Sequence, residues 1–537
     1  MDFLFDMVHH NPGEQEFVSS FCDSRNLSDY GYNSQVFKHI NCVTAFDELG
    51  LDLWPAGSKQ RLWLDDFTAK RRAEIRHAKA SGLDVYYHID LFVLPKLLVE
   101  KCSSRICDRQ GRVSLDKELT LEIHRVMFDE IVSRFPEIDG FIIRVGETYL
   151  YDTPYHCGNG AVKYDSLPSE EEKEQFVKLL KFLREEVCVK HDRKVFFRTW
   201  DCFPDRFHAD LKYYLDVTDN IEPHDNLLFS IKHTQLDFWR YVEINPTLAK
   251  GRHNQIIEVQ CQREYEGKGA YPSYVMGKVI NGFPETKQKV GLKDIVQDSR
   301  VKGLYGWSRG GGWYGPYIKN EFWPKLNAYV IVSWFKDTSR EELDIFNEYC
   351  QTYLGLDADN TARFRKFVEL CDEAMLKGHY CSAFDKNRPL NIIPTNNWTR
   401  DDRLGGINQL GPVLRYLFEN NLLEEALDEK RRSVELWEQA LKELDSISFT
   451  DSETYNYVYA SAEYGLKLFR FIEEAWRFII YKEEGRCIEL WRDYLSLSEN
   501  RYSSSLYKGC YWHMPHEPYA EGILDMIDNH LVNIATS

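Results

Sequence analysis

The first two-thirds of the chain alternate between short apolar runs and stretches in which apolar residues return every three or four positions. Eight runs read as strands: Phe3–His9, Phe37–Thr44, Asp84–Asp90, Asp139–Glu147, Lys194–Asp201, Asn226–Thr234, Gln255–Glu264 and Gly303–Ser308. Helix signals lie between them. Ser169 and Glu172 form a capping box ahead of Phe176, Leu179, Leu180, Leu183 and Val187 at helical spacing. Ala69–Ala80 reads as another helix, ending before Gly82. Eight strands, each followed by a helix or a long connection, predict a (β/α)8 TIM barrel over residues 1–338. A doubly wound open sheet is the main competitor, but no Gly-rich phosphate turn follows the first strand. Beyond residue 338 the strand-like runs vanish. Arg340–Leu354, Leu414–Leu444, Glu453–Glu473 and Glu483–Leu497 carry helical periodicity, and Phe384–Asn408, rich in Asn, Pro and Gly, reads as a long loop. An α-helical C-terminal domain is therefore expected over 339–537.

One strand stands apart. In Asn254–Gly267, NQIIEVQCQREYEG, the apolar Ile257, Val259 and Cys261 alternate with Glu258, Gln260, Gln262 and Glu264. Successive strand side chains face opposite sides, so the acids and amides share one face. A buried carboxylate is costly without partners, so this face suits either an active-site mouth or a wet edge strand.

In a barrel, chemistry collects at the C-terminal strand ends. Those ends offer Arg144 and Glu147 on the fourth strand, then Arg198, Trp200 and Asp201 on the fifth. The sixth offers Lys232, His233 and Asp237, the seventh Glu264, and the eighth Trp307, Arg309 and a glycine run in WSRGGGWYG. Carboxylates and cations thus converge on one mouth. Glycoside hydrolysis needs one protonated carboxyl group and one ionised, and neighbouring charge and burial can separate their pKa values. The cations either balance these acids in internal ion pairs or grip an anionic substrate group, for which a planar guanidinium is well shaped. Trp200, Trp307 and Trp313 are candidate stacking platforms, or packing against loops.

Four of these motifs, in order, resemble the barrel of the glycoside hydrolase family 67 α-glucuronidases: FIIRVGE, VFFRTWD, SIKHTQLDF and QCQREYEG. Lys232 to Asp237 keeps the family spacing, and Arg263-Glu264-Tyr265-Glu266-Gly267 departs only in Arg for Gln. The resemblance covers residues 138–310 best. It implies inversion, with Glu147 as general acid and Asp237 and Glu264 as the pair that activates water, acid and base ~6.5–9.5 Å apart. It also implies that Arg144, Arg198 and Lys232 contact the carboxylate of a uronic acid, and that the helical domain is a homodimer surface, though its dense charge fits a solvated face equally well. Two departures stand out. Family members carry a β-sandwich domain before the barrel, whereas this sequence starts almost directly on the first strand. The acid motif reads Gly-Glu-Thr-Tyr, and the loop through Tyr149, Tyr151, Tyr155 and His156 differs, which puts xylan in doubt as the backbone.

Composition narrows the partners. A net charge of −18 argues against nucleic acid and anionic membranes. Aromatic content of 14% suits stacking on sugar rings. Thirteen Cys without a CxxC pair or zinc spacing fit a reducing compartment. The start, MDFLFDMVHHNPG, has no basic n-region and no long apolar h-region, so a cytoplasmic protein is expected. Carboxylates supply both proton transfers, so no cofactor is expected. His9 and His10 close the first strand, and with His88 and His233 they support a rival, a metal-dependent barrel hydrolase. As an alternative, His10 and Asn11 hydrogen-bond across the mouth or contact sugar hydroxyls. A non-catalytic carbohydrate-binding protein on a degenerate barrel is the rival from another class.

Overall fold

Eight parallel strands close into a barrel in the order β1 (Phe3–His9), β2 (Ser34–Lys38), β3 (Asp84–Asp90), β5 (Gly140–Arg144), β7 (Lys194–Arg198), β8 (Leu227–Lys232), β9 (Asn254–Gln260) and β10 (Val301–Gly310), with β10 returning to β1. Two three-residue strands, β4 (Val93–Pro95) and β6 (His156–Gly158), pair antiparallel outside the barrel. The structure, a computed structural model, describes residues 1–9, 18–146, 148, 150, 153–159, 169–200, 205–311, 317–318, 320–390, 392–395, 399–400, 403–404, 407–481 and 511–513. Glu147, His10, Asn11, Tyr149, Tyr151, Asp201, Trp313 and the expected helix Glu483–Leu497 lie outside the described residues.

The (β/α)8 barrel followed by helices is thus the observed architecture. The second strand differs from expectation. It runs over Ser34–Lys38 and stops at His39, whose φ of 65° turns the chain. Ile40, Cys42 and Val43 are buried in a 3-10 turn instead. Apolar residues that need burial do not by themselves distinguish a strand from a tight turn under the barrel wall. The helix at Ala69–Ala80 also begins earlier, at Lys59, capped by Ser58 Oγ accepting from Arg61 N–H at 3.1 Å. The Ser169 side chain of the expected capping box lies outside the described residues. Glu172 is buried and accepts from Tyr213 Oη at 2.5 Å and Arg206 at 2.7 Å.

Strand alternation divides the barrel interior into two levels. Phe5, Met7, Val36, Tyr86, Ile142, Phe196, Leu228, Ile256 and Tyr305 fill the lower level. Phe5 lies at its centre, its ring centroid 5.1 Å from Phe196 and Tyr305 and 5.4 Å from Tyr86. Aromatic pairs at such spacing each add ~0.5–1.5 kcal/mol beyond area burial. Two and four residues further along the same faces stand mostly polar side chains. The strand register sets them side by side: Lys38 beside His88, Asp90 beside Arg144, Arg198 beside Ser230, Lys232 beside Glu258 and Gln260 beside Trp307. A dry plug thus forms the floor of a charged layer.

After helix Phe322–Lys336, helices Glu342–Tyr353, Ala358–His379, Ile407–Glu419, Leu423–Leu444 and Ser452–Tyr481 form the C-terminal region. The expected Leu414–Leu444 helix is two, broken at Asn420–Leu422, where Asn421 has a φ of 57°. The region shares one continuous apolar core with the barrel. Tyr271, after β9, packs its ring 5.8 Å from Trp437 and 5.5 Å from Phe469. Buried Arg240 donates to Glu285 at 2.5 Å and to Asp372 of helix Ala358–His379 at 2.7 Å. Removing one partner of a buried ionic cluster strands the others in a dry site. Arg240→Ala is therefore expected to lower unfolding stability by ~3–5 kcal/mol in urea titration, with the far-ultraviolet dichroism of the folded protein unchanged.

Candidate active site at the barrel mouth

Trp307 is the hub of the charged layer. Its indole ring lies 4.8 Å from Arg198 Cζ, 5.7 Å from Lys232 Nζ, 5.1 Å from the His9 ring and 6.0 Å from Phe238. Four separate segments therefore meet on one side chain, itself 5% exposed. Lys232 Nζ also sits 3.8 Å from the centre of the Trp200 ring. Trp200 and Trp307, two of the three tryptophans expected at the mouth, thus serve as walls for cations, an arrangement that strengthens as water is excluded.

The cations are held by acids. Arg144 makes a two-pronged pair with Asp90, Nε to Oδ1 at 2.6 Å and Nη2 to Oδ2 at 2.9 Å. Arg198 reaches across β8 to Glu258 of β9, with Nε and Nη2 each 2.8 Å from a carboxylate oxygen, and Ser230 Oγ donates to the same group at 2.8 Å. Burial raises the Glu258 carboxyl, but Arg198 and then Lys232 outweigh it, and the group is held below the usual carboxylate range. Lys232 donates to Asp237 Oδ1. Asp90, which closes β3, is absent from the strand-end candidates. Its position two residues after His88 is the signal that points to it, since both share the inward face.

Asp237 and Glu264 stand on loops beyond β8 and β9, and Tyr265 links them. Its hydroxyl donates to Asp237 Oδ2, and its ring stacks on Trp239 with centroids 3.4 Å apart. Asp237 has a φ of 47° and Arg263 one of 59°, left-handed turns that re-aim the chain at each strand end. Arg263, the residue standing where the family has Gln, is buried and pairs with Glu266 while donating to the Phe238 carbonyl at 3.1 Å. It ties the Glu264 loop to the Asp237 loop. The Glu264 N–H donates to Gln260 Oε1 at 2.5 Å. Gly311 comes so close that a Cβ there would lie 2.9 Å from Glu264 Oε2 and 2.5 Å from Gln260 Nε2, on a backbone with φ of 90°. Close approach thus accounts for this part of the glycine run. Asp237 and Glu264 are 8% and 7% exposed.

Two expected contacts point elsewhere. Arg309 leaves the barrel interior and turns its Nε toward Glu321, at 3.6 Å. The strand bulge between Asp6 and Val8, opposite this part of β10, breaks the simple alternation on which the expectation rests. His233 packs its ring between Phe238 and Phe283, with Nδ1 3.3 Å from the Glu258 carbonyl. Burial pushes it down to about 3, so it is neutral at pH 7. Tyr155 and His156 pack on Trp63, at 5.6 and 5.5 Å, on the outer side of the barrel beside β4.

Several buried nitrogens in this layer have no hydrogen-bond partner among the described residues: the donors Arg198 Nη1, Gln260 Nε2 and Trp307 Nε1, and the imidazole nitrogen His88 Nε2. Buried polar groups are almost always satisfied, so such a cluster marks a place for water or a ligand rich in oxygen acceptors.

The Glu258–Arg198 pair makes a testable demand on stability. A depressed carboxylate contributes stability above its unfolded value, about 4.3, and loses it as pH falls through the lower folded value. Urea titrations between pH 7 and pH 3 are expected to show a steeper acid loss for the wild type than for Glu258→Gln. At pH 7 the variant is expected to be ~3–5 kcal/mol less stable, because Arg198 is left buried and unpaired.

No family model matches the chain, and no curated protein matches it. Among solved structures, the chain is similar to a GH138 enzyme described as targeting pectin rhamnogalacturonan II, at 12% identity and a TM-score of 0.54. The likeness covers 100% of this chain and 66% of that one, so the chain spans just under two-thirds of its neighbour's length. A point mutant of the Thermobaculum terrenum O-GlcNAc hydrolase matches at 10% identity and TM-score 0.36, over 98% of this chain and 93% of that one. A GH20 catalytic module of the pneumococcal exo-β-D-N-acetylglucosaminidase StrH matches at 12% and 0.37, over 68% and 97%. These two are too distant to carry an argument. The first shows the fold: a TIM barrel with a helical region after it.

Proposed function

We propose that the protein is a glycoside hydrolase, an exo-acting α-uronosidase of the α-glucuronidase kind, which removes a uronic acid from an oligosaccharide with inversion. The observation that carries this reading is the set of unsatisfied buried donors facing one aromatic-walled mouth, with two carboxylates on loops at its rim. A sugar offers many hydroxyl and ring oxygens and an apolar face, which such a mouth can bind by hydrogen bonds and by packing on Trp200 and Trp307. The neighbour whose fold this chain shares targets a pectin, which agrees with a polysaccharide-derived substrate.

In this mechanism Glu147 protonates the leaving oxygen while Asp237 and Glu264 orient and deprotonate water on the opposite face of the sugar. Lys232 and Tyr265 fix the Asp237 carboxylate, each committing one lone pair of a different oxygen. One lone pair on each oxygen then remains for water. The Glu264 backbone is fixed by Gln260, and Gly311 keeps the space above its carboxylate narrow.

One observation favours a second reading within the same class. Arg144 and Arg198 each give two donors to an internal acid, which suits charge balance in a mouth that takes a neutral sugar. A panel of nitrophenyl α-uronides and their neutral counterparts separates the two. Turnover of a uronide, with NMR showing the first-formed anomer inverted, is the expected result. Retention at the anomeric centre would remove the inverting assignment. Glu147→Gln, Asp237→Asn and Glu264→Gln are each expected to lower kcat ~10²–10⁴-fold with the fold intact by circular dichroism. Unchanged turnover in Glu264→Gln would remove that residue from the mechanism.

A further inference from the structure

We propose that the cavity between the loops of the barrel and helix Ala358–His379 is a saccharide-binding site, separate from the barrel mouth. This goes beyond the hydrolase reading and does not depend on it.

The cavity measures about 530 Å³, where helix Met276–Asn281 and the loops after β8 and β9 face helix Ala358–His379. Ligand sites commonly measure ~300–1,000 Å³ and favour junctions of this kind. Arg365, Glu369, Asp372 and Leu376 recur every three or four positions on helix Ala358–His379, so they share one face and form one wall. None of the lining residues belongs to the charged layer of the mouth.

Two atoms of one buried ion pair are left unused here. Arg240 Nε donates to Glu285 Oε1 at 2.5 Å, and Arg240 Nη1 donates to Asp372 Oδ1 at 2.7 Å. Glu285 Oε2 and Arg240 Nη2 are both buried, and neither has a hydrogen-bond partner among the described residues. Glu285 and Asp372 line the cavity, which places the pair at its wall. An orphaned acceptor and an orphaned donor in one pair call for a group that both donates and accepts, and a hydroxyl does both.

The rest of the lining repeats this mixture. Arg365 Nε donates to Glu369 at 2.7 Å, and Lys278 donates to Asp372. The side chains of Lys278 and Arg365 are 31% and 21% exposed, so their remaining N–H groups are within reach of a ligand. The lining carries four carboxylates and four cations, so no net charge favours a phosphate or a polyamine. Ammonium and guanidinium groups set among the carboxylates would likewise repel a metal ion. Alternating donors and acceptors suit the neighbouring hydroxyls of a sugar. Tyr241, Val275, Pro284 and Leu376 add apolar surface on which the face of a pyranose ring can pack.

Calorimetry on the full chain with glucose, galactose, glucuronate, galacturonate and cellobiose reads binding, and crystals soaked in the tightest binder locate it. Two variants alter the cavity: Leu376→Trp fills it, and Tyr241→Ala removes its aromatic wall. We expect sugar density in the cavity in contact with Glu285. In both variants Kd is expected to rise ~10-fold or more, as for loss of one aromatic face. Circular dichroism checks each fold, and should Leu376→Trp not fold, Tyr241→Ala and the soaked crystal decide. A wild type that binds none of the five sugars overturns the site. So does binding that the folded cavity variants leave unchanged, or density confined to the barrel mouth. Binding in the cavity of a protein that cleaves no glycoside upholds the site and counts against the hydrolase reading alone.

Discussion

The ion pair between Arg198 and Glu258 is the constraint around which the barrel mouth is arranged. Both side chains are fully buried, and they join β7 to β9 across the intervening β8. Such a pair is tolerable only with near-ideal geometry and with its remaining valences satisfied. The two 2.8 Å bonds meet the first demand and Ser230 part of the second. The aromatic floor explains why the demand is so strict. Phe5, Tyr86, Phe196 and Tyr305 keep water from reaching the pair from below, so its charges see a dry medium. Water can reach this layer only from the mouth, which is where the spare Arg198 prong and Trp307 are found.

The same strictness reaches outward through the loops. Arg263 pairs with Glu266, Glu266 lies 4.0 Å from Arg240, and Arg240 pairs with Asp372 on a C-terminal helix. A ladder of buried charges therefore runs from the loop that carries Glu264 to the helical region. Tyr457 adds a neutral rung by donating to the Gly269 carbonyl at 3.1 Å. A carboxylate placed on a loop is held less firmly than one on a strand, and this ladder compensates by fixing the loop at several points. The helices after the barrel thus do part of the positioning, which explains why one apolar core runs through both.

How much of this the sequence reveals depends on the length scale of the signal. Strand number and fold class follow from period and spacing, which are local and repeated eight times. The displaced second strand shows the weak point of that logic, since Ile40, Cys42 and Val43 satisfy burial equally well in a turn. Strand-end reading brings Arg144, Arg198, Lys232, Trp200 and Trp307 to one mouth because alternation is obeyed there. It misplaces Arg309 because a bulge shifts the register. Ion-pair partners are the hardest to read. Asp90 lies 54 residues before Arg144 and Glu258 lies 60 after Arg198, separations over which no local pattern operates. The possibility of internal pairing is visible in the mixture of acids and bases, but which acid meets which base is decided only by barrel closure.

A chain with a net charge of −18 is an unpromising host for an acidic sugar at long range. At physiological ionic strength, however, exposed charges are largely screened beyond ~8 Å, so the surface charge has little say once the ligand has entered the mouth. What decides selectivity is the local field in a partly dry cavity, where one cation is worth several at the surface. Arg144, Arg198 and Lys232 are matched by the protein's own acids, and this matching has a physical consequence. It keeps the mouth from carrying several uncompensated positive charges.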